Sequence, residues 1–236
     1  MVEETNYRTM IHRSGTLTYS RFMAMAKRST SAPLRHRTPS LEVTSSIVEA
    51  ALAIIGSDGP DSVTVRRLAS EAGVAPMSIY NHFGDMHGVF DAVFEHGFTE
   101  LAEALRASTT SSHPVLAIQE MGGAYRRFAL KNPDTYAVMF LRVVPGFEAS
   151  DESFLAAAHS FEELSTAVQR AIDTQHFLPG DAAIVAQEIW AACHGAVALE
   201  ILDMGAFADP TETYDALLVS LLRGLLLNPA ESAVLA

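Results

Sequence analysis

From about residue 41 onward, apolar positions recur at three- and four-residue intervals, without the sustained alternation of a strand, so the chain reads as helical. Ile47, Ala51 and Ile54 share one stripe of a helix predicted from about Leu41 to Ile55, which Gly56, Gly59 and Pro60 end. Val89, Phe90, Val93, Phe94, Phe98, Leu101 and Leu105 mark a long helix from about Asp85 to Ala107, its apolar face broad enough to touch two bodies. Beyond Ser108–Ser112, Pro114 opens a helix to about Lys131 and Pro133 another to about Val144. Further helices fit about Asp151 to Gln175, Asp181 to Met204 and Thr211 to Asn228, with Pro179-Gly180 and Asp209-Pro210 as breaks. An all-α, two-domain fold without internal repeats is the economical reading.

Between the first and the long helix lies TVRRLASEAGVAPMSIYNHF, residues 64–83. Leu68, Ala72, Val74, Ile79 and Phe83 fit one buried face, and Ala69 is small enough to let a second helix approach the first. Gly73 supplies the turn, since it takes positive φ without steric cost. Pro76 suits the first turn of a second helix running to about His82, and Thr64 is the N-cap expected for the first. The pattern is that of a helix-turn-helix, which points to DNA; a helix pair with only a packing role has the same spacing.

The run from about Thr38 to Leu101, with T-V-R-R-L-A-x-E-A-G-V and I-Y-x-H-F at its heart, resembles the DNA-binding domain of tetracycline-repressor (TetR) family regulators. AYRRFALKNPDTYAVMF at 124–140, with Trp190, His194 and Gly195, resembles the ligand-binding domain of the subfamily named for those last three residues. The resemblance implies a DNA-binding transcriptional regulator, commonly a repressor released by a small effector. Docked as other helix-turn-helices are, the second helix turns Ala75, Pro76, Met77 and Ser78 toward base edges. Tyr80 and His82 match family positions that reach the DNA backbone, while Thr64, Arg66 and Arg67 stand near the first helix's start, suited to phosphates. The family's usual lysine after Y-x-H-F is Met86 here, next to Asp85, which removes one phosphate contact.

In the second domain Met121, Tyr125, Phe128, Tyr136, Met139, Phe140, Phe147, Trp190 and His194 have the character of a largely apolar effector chamber, or simply of core. Trp190 and His194 stand four residues apart on one helix face, so indole and imidazole N–H groups either converge on one polar effector atom or His194 bonds a backbone carbonyl. The last two helices carry Ile184, Val185, Ile189, Val197, Ile201 and Leu202, and Leu217, Leu218, Leu221, Leu222, Leu225 and Leu226. That apolar width exceeds one core contact. In the resembled family two such helices pair with their symmetry mates, which implies a homodimer whose reading helices meet major grooves about 34–36 Å apart.

Composition refines the picture. With 236 residues, 49% of them hydrophobic, the chain can bury a substantial core. The net charge of −12 looks wrong for a DNA binder until it is divided along the chain. Residues 1–40 hold Arg8, Arg13, Arg21, Lys27, Arg28, Arg35 and Arg37 against only Glu3 and Glu4, so everything after them is strongly acidic. The expected organisation is a disordered basic arm (1–38), a helix-turn-helix domain (39–106), an effector-binding and dimerisation domain (107–228) and a short tail (229–236). The arm either adds phosphate contacts or is a solubilising extension, or even a misplaced start with Met23 or Met25 as the true beginning.

The longest apolar run, Ala216 to Leu227, is too short to span a bilayer and contains Arg223; a cytoplasmic protein with no membrane association is expected. Cys193 alone excludes an internal disulfide. Nine histidines invite a metal reading, yet no Cys pair, H-E-x-x-H or repeated E-x-x-H occurs, and His159 with Glu162 and Glu163 reads as a solvated turn. Neither a G-x-S-x-G elbow nor a phosphate-cradling glycine loop stands out, so no enzyme, cofactor or metal is expected. A helical enzyme or metal-binding protein with a vestigial helix-turn-helix remains the rival class.

Overall fold

Nine α-helices occur among the described residues, 41–205 and 209–235 of this computed structural model. The expected basic arm lies outside them. Helix α1, Leu41–Asp58, buries Ile47, Ala51 and Ile54 as expected and adds Val48, Ala50 and Ile55, running three residues further than predicted. A 3₁₀ turn, Pro60–Ser62, leads to α2, Val65–Glu71, and α3, Pro76–Phe83. The Thr64 hydroxyl caps α2 by accepting from the Arg67 N–H at 3.4 Å.

The junction of α2 and α3 is closed by backbone hydrogen bonds that need a left-handed residue. With Gly73 at φ +66°, its own N–H reaches the Ser70 carbonyl at 3.3 Å and that of Val74 reaches Ala69 at 2.9 Å. This is a Schellman cap, and it sends the chain across α2. Leu68 and Ile79 are fully buried in the head core, with Ala69 close behind, whereas Ala72, Val74 and Phe83 are only partly covered.

Helix α4, Met86–Ser108, is the long rod. Its N-cap is Asp85, whose carboxylate accepts from the Gly88 N–H at 3.0 Å, so this acidic residue has a structural role. At its head end α4 packs on α1 and α3; along the rest it packs on α5 (Pro114–Lys131), α6 (Pro133–Phe140) and α7 (Ser153–Asp173). Helix α6 stops at Phe140, four residues before the predicted Val144. Arg142 takes a left-handed φ of 52°, and Val143 and Val144 fold back onto the head core. Helix α7 begins later than Asp151 because the Asp91 carboxylate of α4 takes the Ser150 N–H at 2.8 Å and the Ser153 hydroxyl at 2.6 Å.

Helix α8, Ala182–Ile201, packs on α5, α7 and α9, Pro210–Leu225. Asp181 and Asp209 cap α8 and α9 by accepting from backbone N–H groups of their first turns. By length and composition α8, rather than the Ala216–Leu227 run, is apolar enough to cross a membrane. It nevertheless holds an ion pair inside the body: Glu200 accepts two hydrogen bonds from Arg126 of α5, at 2.7 and 2.9 Å. A 3₁₀ segment, Pro229–Leu235, follows α9, and an antiparallel bridge between Phe177 and Leu226 staples it to the turn after α7.

Gly88 gives the first prediction. A Cβ there would stand 2.0 Å from the Phe83 carbonyl oxygen, a backbone atom with no room to retreat. Gly88→Ala is expected to lower stability by about 1–3 kcal/mol despite alanine's better helix propensity. Urea unfolding monitored by circular dichroism checks this.

Candidate nucleic-acid interface and effector site

Ile79 alone anchors α3 as a fully buried side chain. The opposite face is open: Ala75 and Pro76 are exposed, Met77 is 63% and Tyr80 48% exposed, and Ser78 is half-buried. Met77 and Tyr80, three residues apart, thus leave an apolar patch in water on a short helix. Asn81, which sequence reasoning passes over, is exposed one turn after Met77. Its i, i+4 relation to Met77 is the available signal, because an amide can bond adenine through both its donor and its acceptor.

The basic residues of the head are differently occupied. Arg66 is exposed, while Arg67 pairs with Asp58 at the end of α1. Hydrogen bonds from Arg67 and then Ser57 hold the Asp58 carboxyl below its usual range. Thr64 spends its hydroxyl on the α2 cap. His82 is half-buried, with Nδ1 enclosed and without a hydrogen-bond partner.

In the body, the expected chamber residues divide into two groups. Tyr125, Tyr136, Phe140, Trp190 and His194 form one ring cluster. Phe140 lies 4.8 Å from Tyr136, 5.0 Å from His194 and 6.1 Å from Trp190 between ring centroids, and Trp190 stacks on His194 at 5.2 Å. Met121, Phe128 and Met139 are buried on the same two helices as the tyrosines and Phe140 without joining these ring contacts. Phe147 departs from expectation. It packs on His87, Phe90 and Phe94 of the rod, beside the head core, because the loop after α6 folds back.

The polar atoms of the cluster converge on one nitrogen. Tyr136 and Tyr125 place their hydroxyls 2.7 and 3.0 Å from Nδ1 of His194, and Tyr125 also reaches the Tyr136 hydroxyl at 3.3 Å. The partners of this nitrogen are two tyrosine hydroxyls rather than a backbone carbonyl. Burial pushes Tyr136 up to about 12 and Tyr125 well above its usual range, so both hydroxyls keep their protons. Burial also lowers the His194 pKa, favouring the neutral ring. Tyr125 gives its one proton to the Tyr136 oxygen, and Tyr136 donates to Nδ1 when the imidazole proton sits on Nε2, the tautomer that leaves a spare donor on this half-buried ring.

Among the described residues, His159 with Glu162 and Glu163 forms no cluster able to hold a metal; Glu163 pairs instead with Arg106 at 2.6 Å.

Comparison with known proteins bears on both parts. Residues 47–93 match the family model described as bacterial regulatory proteins, tetR family, and residues 118–221 match the tetracyclin repressor-like C-terminal domain. The chain is 29% identical over 181 residues to an uncharacterized HTH-type transcriptional regulator, Rv0681, of Mycobacterium tuberculosis, covering 76% of this chain and 80% of that one. A solved protein of unknown function from Rhodococcus sp. RHA1 is similar with a TM-score of 0.70 and 29% identity, over 83% of this chain and 100% of the other. The TetR family regulator PfmR of Thermus thermophilus shares the fold at a TM-score of 0.60 and 18% identity, over 75% and 97% of the two chains.

The His194 environment predicts a pH response. Its lowered pKa means that the unfolded chain takes up a proton first as pH falls below the ordinary value of 6.5, so this contribution is present above 6.5 and lost on acidification. Unfolding free energy measured across pH 7 to 5 is expected to fall less steeply in His194→Gln than in the natural chain.

Proposed function

Because the chain belongs to the TetR family of DNA-binding transcriptional regulators, we propose that it acts as a homodimeric repressor released from its operator by a small, largely apolar effector. The observation that carries this reading is the pairing of an exposed α3 face with an aromatic cluster whose two tyrosine hydroxyls engage Nδ1 of His194 and leave Nε2 for a ligand. Met77 and Ala75 pack on thymine methyls, Ser78 and Asn81 bond base edges, and Pro76 starts the helix in the groove. Tyr80, His82, Thr64 and Arg66 meet the phosphate backbone, with Arg67 joining them by leaving Asp58.

The effector fits as an apolar body with one hydrogen-bond acceptor, held by His194 Nε2–H and flanked by Trp190 and Phe140. Met121, Tyr125, Phe128, Tyr136 and Met139 complete the chamber wall. Release follows as a population shift in which effector binding favours a body conformation whose α4 sets the two reading helices at the wrong spacing.

The dimer surface is one face of α8 and α9. Ile184, Ala191, Gly195 and Leu199 are exposed along α8 and Leu202 at its C-cap, and Leu217, Ser220, Gly224 and Leu227 form a second stripe along and just beyond α9. A Cβ on Gly195 or Gly224 would meet nothing within 4 Å of its own chain. Each helical glycine costs about 1 kcal/mol against alanine. A closely approaching second copy supplies the reason that the single chain lacks.

Three experiments test these assignments. Met77→Ala and Asn81→Ala are each expected to weaken operator binding by about 1–3 kcal/mol in an anisotropy assay. Effector binding, read from the fluorescence of Trp190, the single tryptophan, should be unchanged; operator affinity untouched by either substitution removes α3 from the reading role. Leu199→Glu with Leu202→Glu should convert the dimer to monomers in light scattering. For the arm, the slope of log affinity on log salt should be shallower in a chain starting at Pro39, by about 0.9 for each phosphate that the arm neutralises, and equal slopes exclude a phosphate-binding arm.

A further inference from the structure

Away from both surfaces, the start of α5, the turn after α7 and the final 3₁₀ segment bring together three side chains that the regulator reading does not use. His113, His176 and Glu231 each offer a ligand-capable atom, and all three atoms lie within 4.8 Å of one another. We propose that they form a binding site for a divalent transition metal of the zinc class.

The donor set is two imidazoles and one carboxylate, which suits zinc and its borderline neighbours rather than calcium or magnesium. Ligands at about 2.0–2.1 Å from a tetrahedral zinc stand about 3.3 Å apart, so closing the set takes a side-chain adjustment of roughly an ångström or two. Part of that geometry already exists. His176 Nδ1 lies 2.7 Å from Glu231 Oε2, and the rings of His113 and His176 are 4.6 Å apart between centroids.

His113 Nδ1 is buried without a hydrogen-bond partner, a condition that calls for an explanation in a folded protein. Displacing the His176–Glu231 hydrogen bond with a cation would engage both partners. All three residues are half-buried, which leaves a coordination position open to water.

The backbones carrying the ligands are held independently of them. The His176 N–H bonds the Ala171 carbonyl at 2.9 Å, and its own carbonyl accepts from Leu227 at 2.9 Å beside the Phe177–Leu226 bridge. The His113 N–H bonds the Ser111 hydroxyl at 3.1 Å, while Arg170 of α7 fixes the adjoining Ser112 carbonyl at 2.8 Å. The Glu231 N–H closes on Asn228 at 3.0 Å. A preorganised site loses little entropy on binding. The metal would cross-link three segments distant in sequence, including the C-terminal segment beyond α9, and so would be linked to their folding.

The test uses tag-free full-length protein stripped with a chelator and titrated with zinc chloride by calorimetry. One equivalent per chain is expected, together with a thermal midpoint that rises in zinc and does not move in magnesium. His113→Gln, His176→Gln and Glu231→Gln should each weaken zinc binding at least about tenfold while retaining helical circular dichroism without metal. If His176→Gln fails to fold, the other two variants decide the matter, and the visible bands of bound cobalt should disappear in both. Failure of the natural chain to bind zinc overturns the proposal and leaves an ordinary His176–Glu231 hydrogen bond with His113 packed beside it. Binding that survives in the folded variants overturns it equally, by placing the metal elsewhere.

Discussion

Helix α6 lies against α4 at a point where a side chain cannot stand. A Cβ on Gly97 would come within 2.6 Å of the Met139 sulfur and 2.7 Å of the Thr135 methyl, so the two helices approach as only a glycine permits. The end of α1 also meets α6, where the Asp134 side chain lies over Gly56, a contact that a shift of the carboxylate would relieve. An eight-residue helix held this tightly serves two bodies. Val138 is buried in the head core, while Tyr136 and Phe140 line the aromatic cluster around His194. Apolar periodicity points to α4 alone as the link from head to body; α6 is the second joint.

That placement yields a continuous run of rings. Phe140 meets Phe98 of α4 at 5.1 Å, Phe98 meets Phe94 at 4.7 Å, Phe94 meets Phe147 at 6.2 Å, and Phe147 meets Phe90 at 6.1 Å, inside the head core. Close-packed interiors do not deform smoothly, so a displacement at one ring is transmitted or absorbed in steps. Couplings between sites are typically about 1–3 kcal/mol, comparable with one to three aromatic pair interactions at about 0.5–1.5 kcal/mol each. Repacking a few rings along this run is therefore sufficient in magnitude to shift a regulator between two states.

What can be read from the chain follows from how local each feature is. The bounds of α5 are legible because Pro114 and the Asn132-Pro133 step fix both ends by backbone chemistry alone. The turn at Gly73 is legible for the same reason. Periodicity makes α6 too long because Leu141, Val143 and Val144 continue an apolar pattern, and only tertiary packing reveals that the two valines serve the head. His194 stands out in the sequence, yet its two tyrosine partners lie 58 and 69 residues away, beyond any periodicity. His113, His176 and Glu231 are invisible for that reason too, whereas the compact His159 spacing attracts notice and holds no metal-binding cluster together.

Charge imposes the remaining constraint on mechanism. Among the described residues of the head and rod the cations are Arg66, Arg67 and Arg106, and the last two are paired with Asp58 and Glu163. Counterion release from these described residues of one head is consequently small, and in the proposed docking Met77 and Ser78 add only modest base contacts. In the proposed homodimer the second head's contact forms at the high effective concentration set by the first, which offsets the weakness of each head alone. The same weakness makes the switch sensitive. Where each head contributes little, a shift of about 1–3 kcal/mol in the proposed spacing equilibrium is a large share of the total, and an effector acting as proposed would have only to misplace the heads without competing for their contacts.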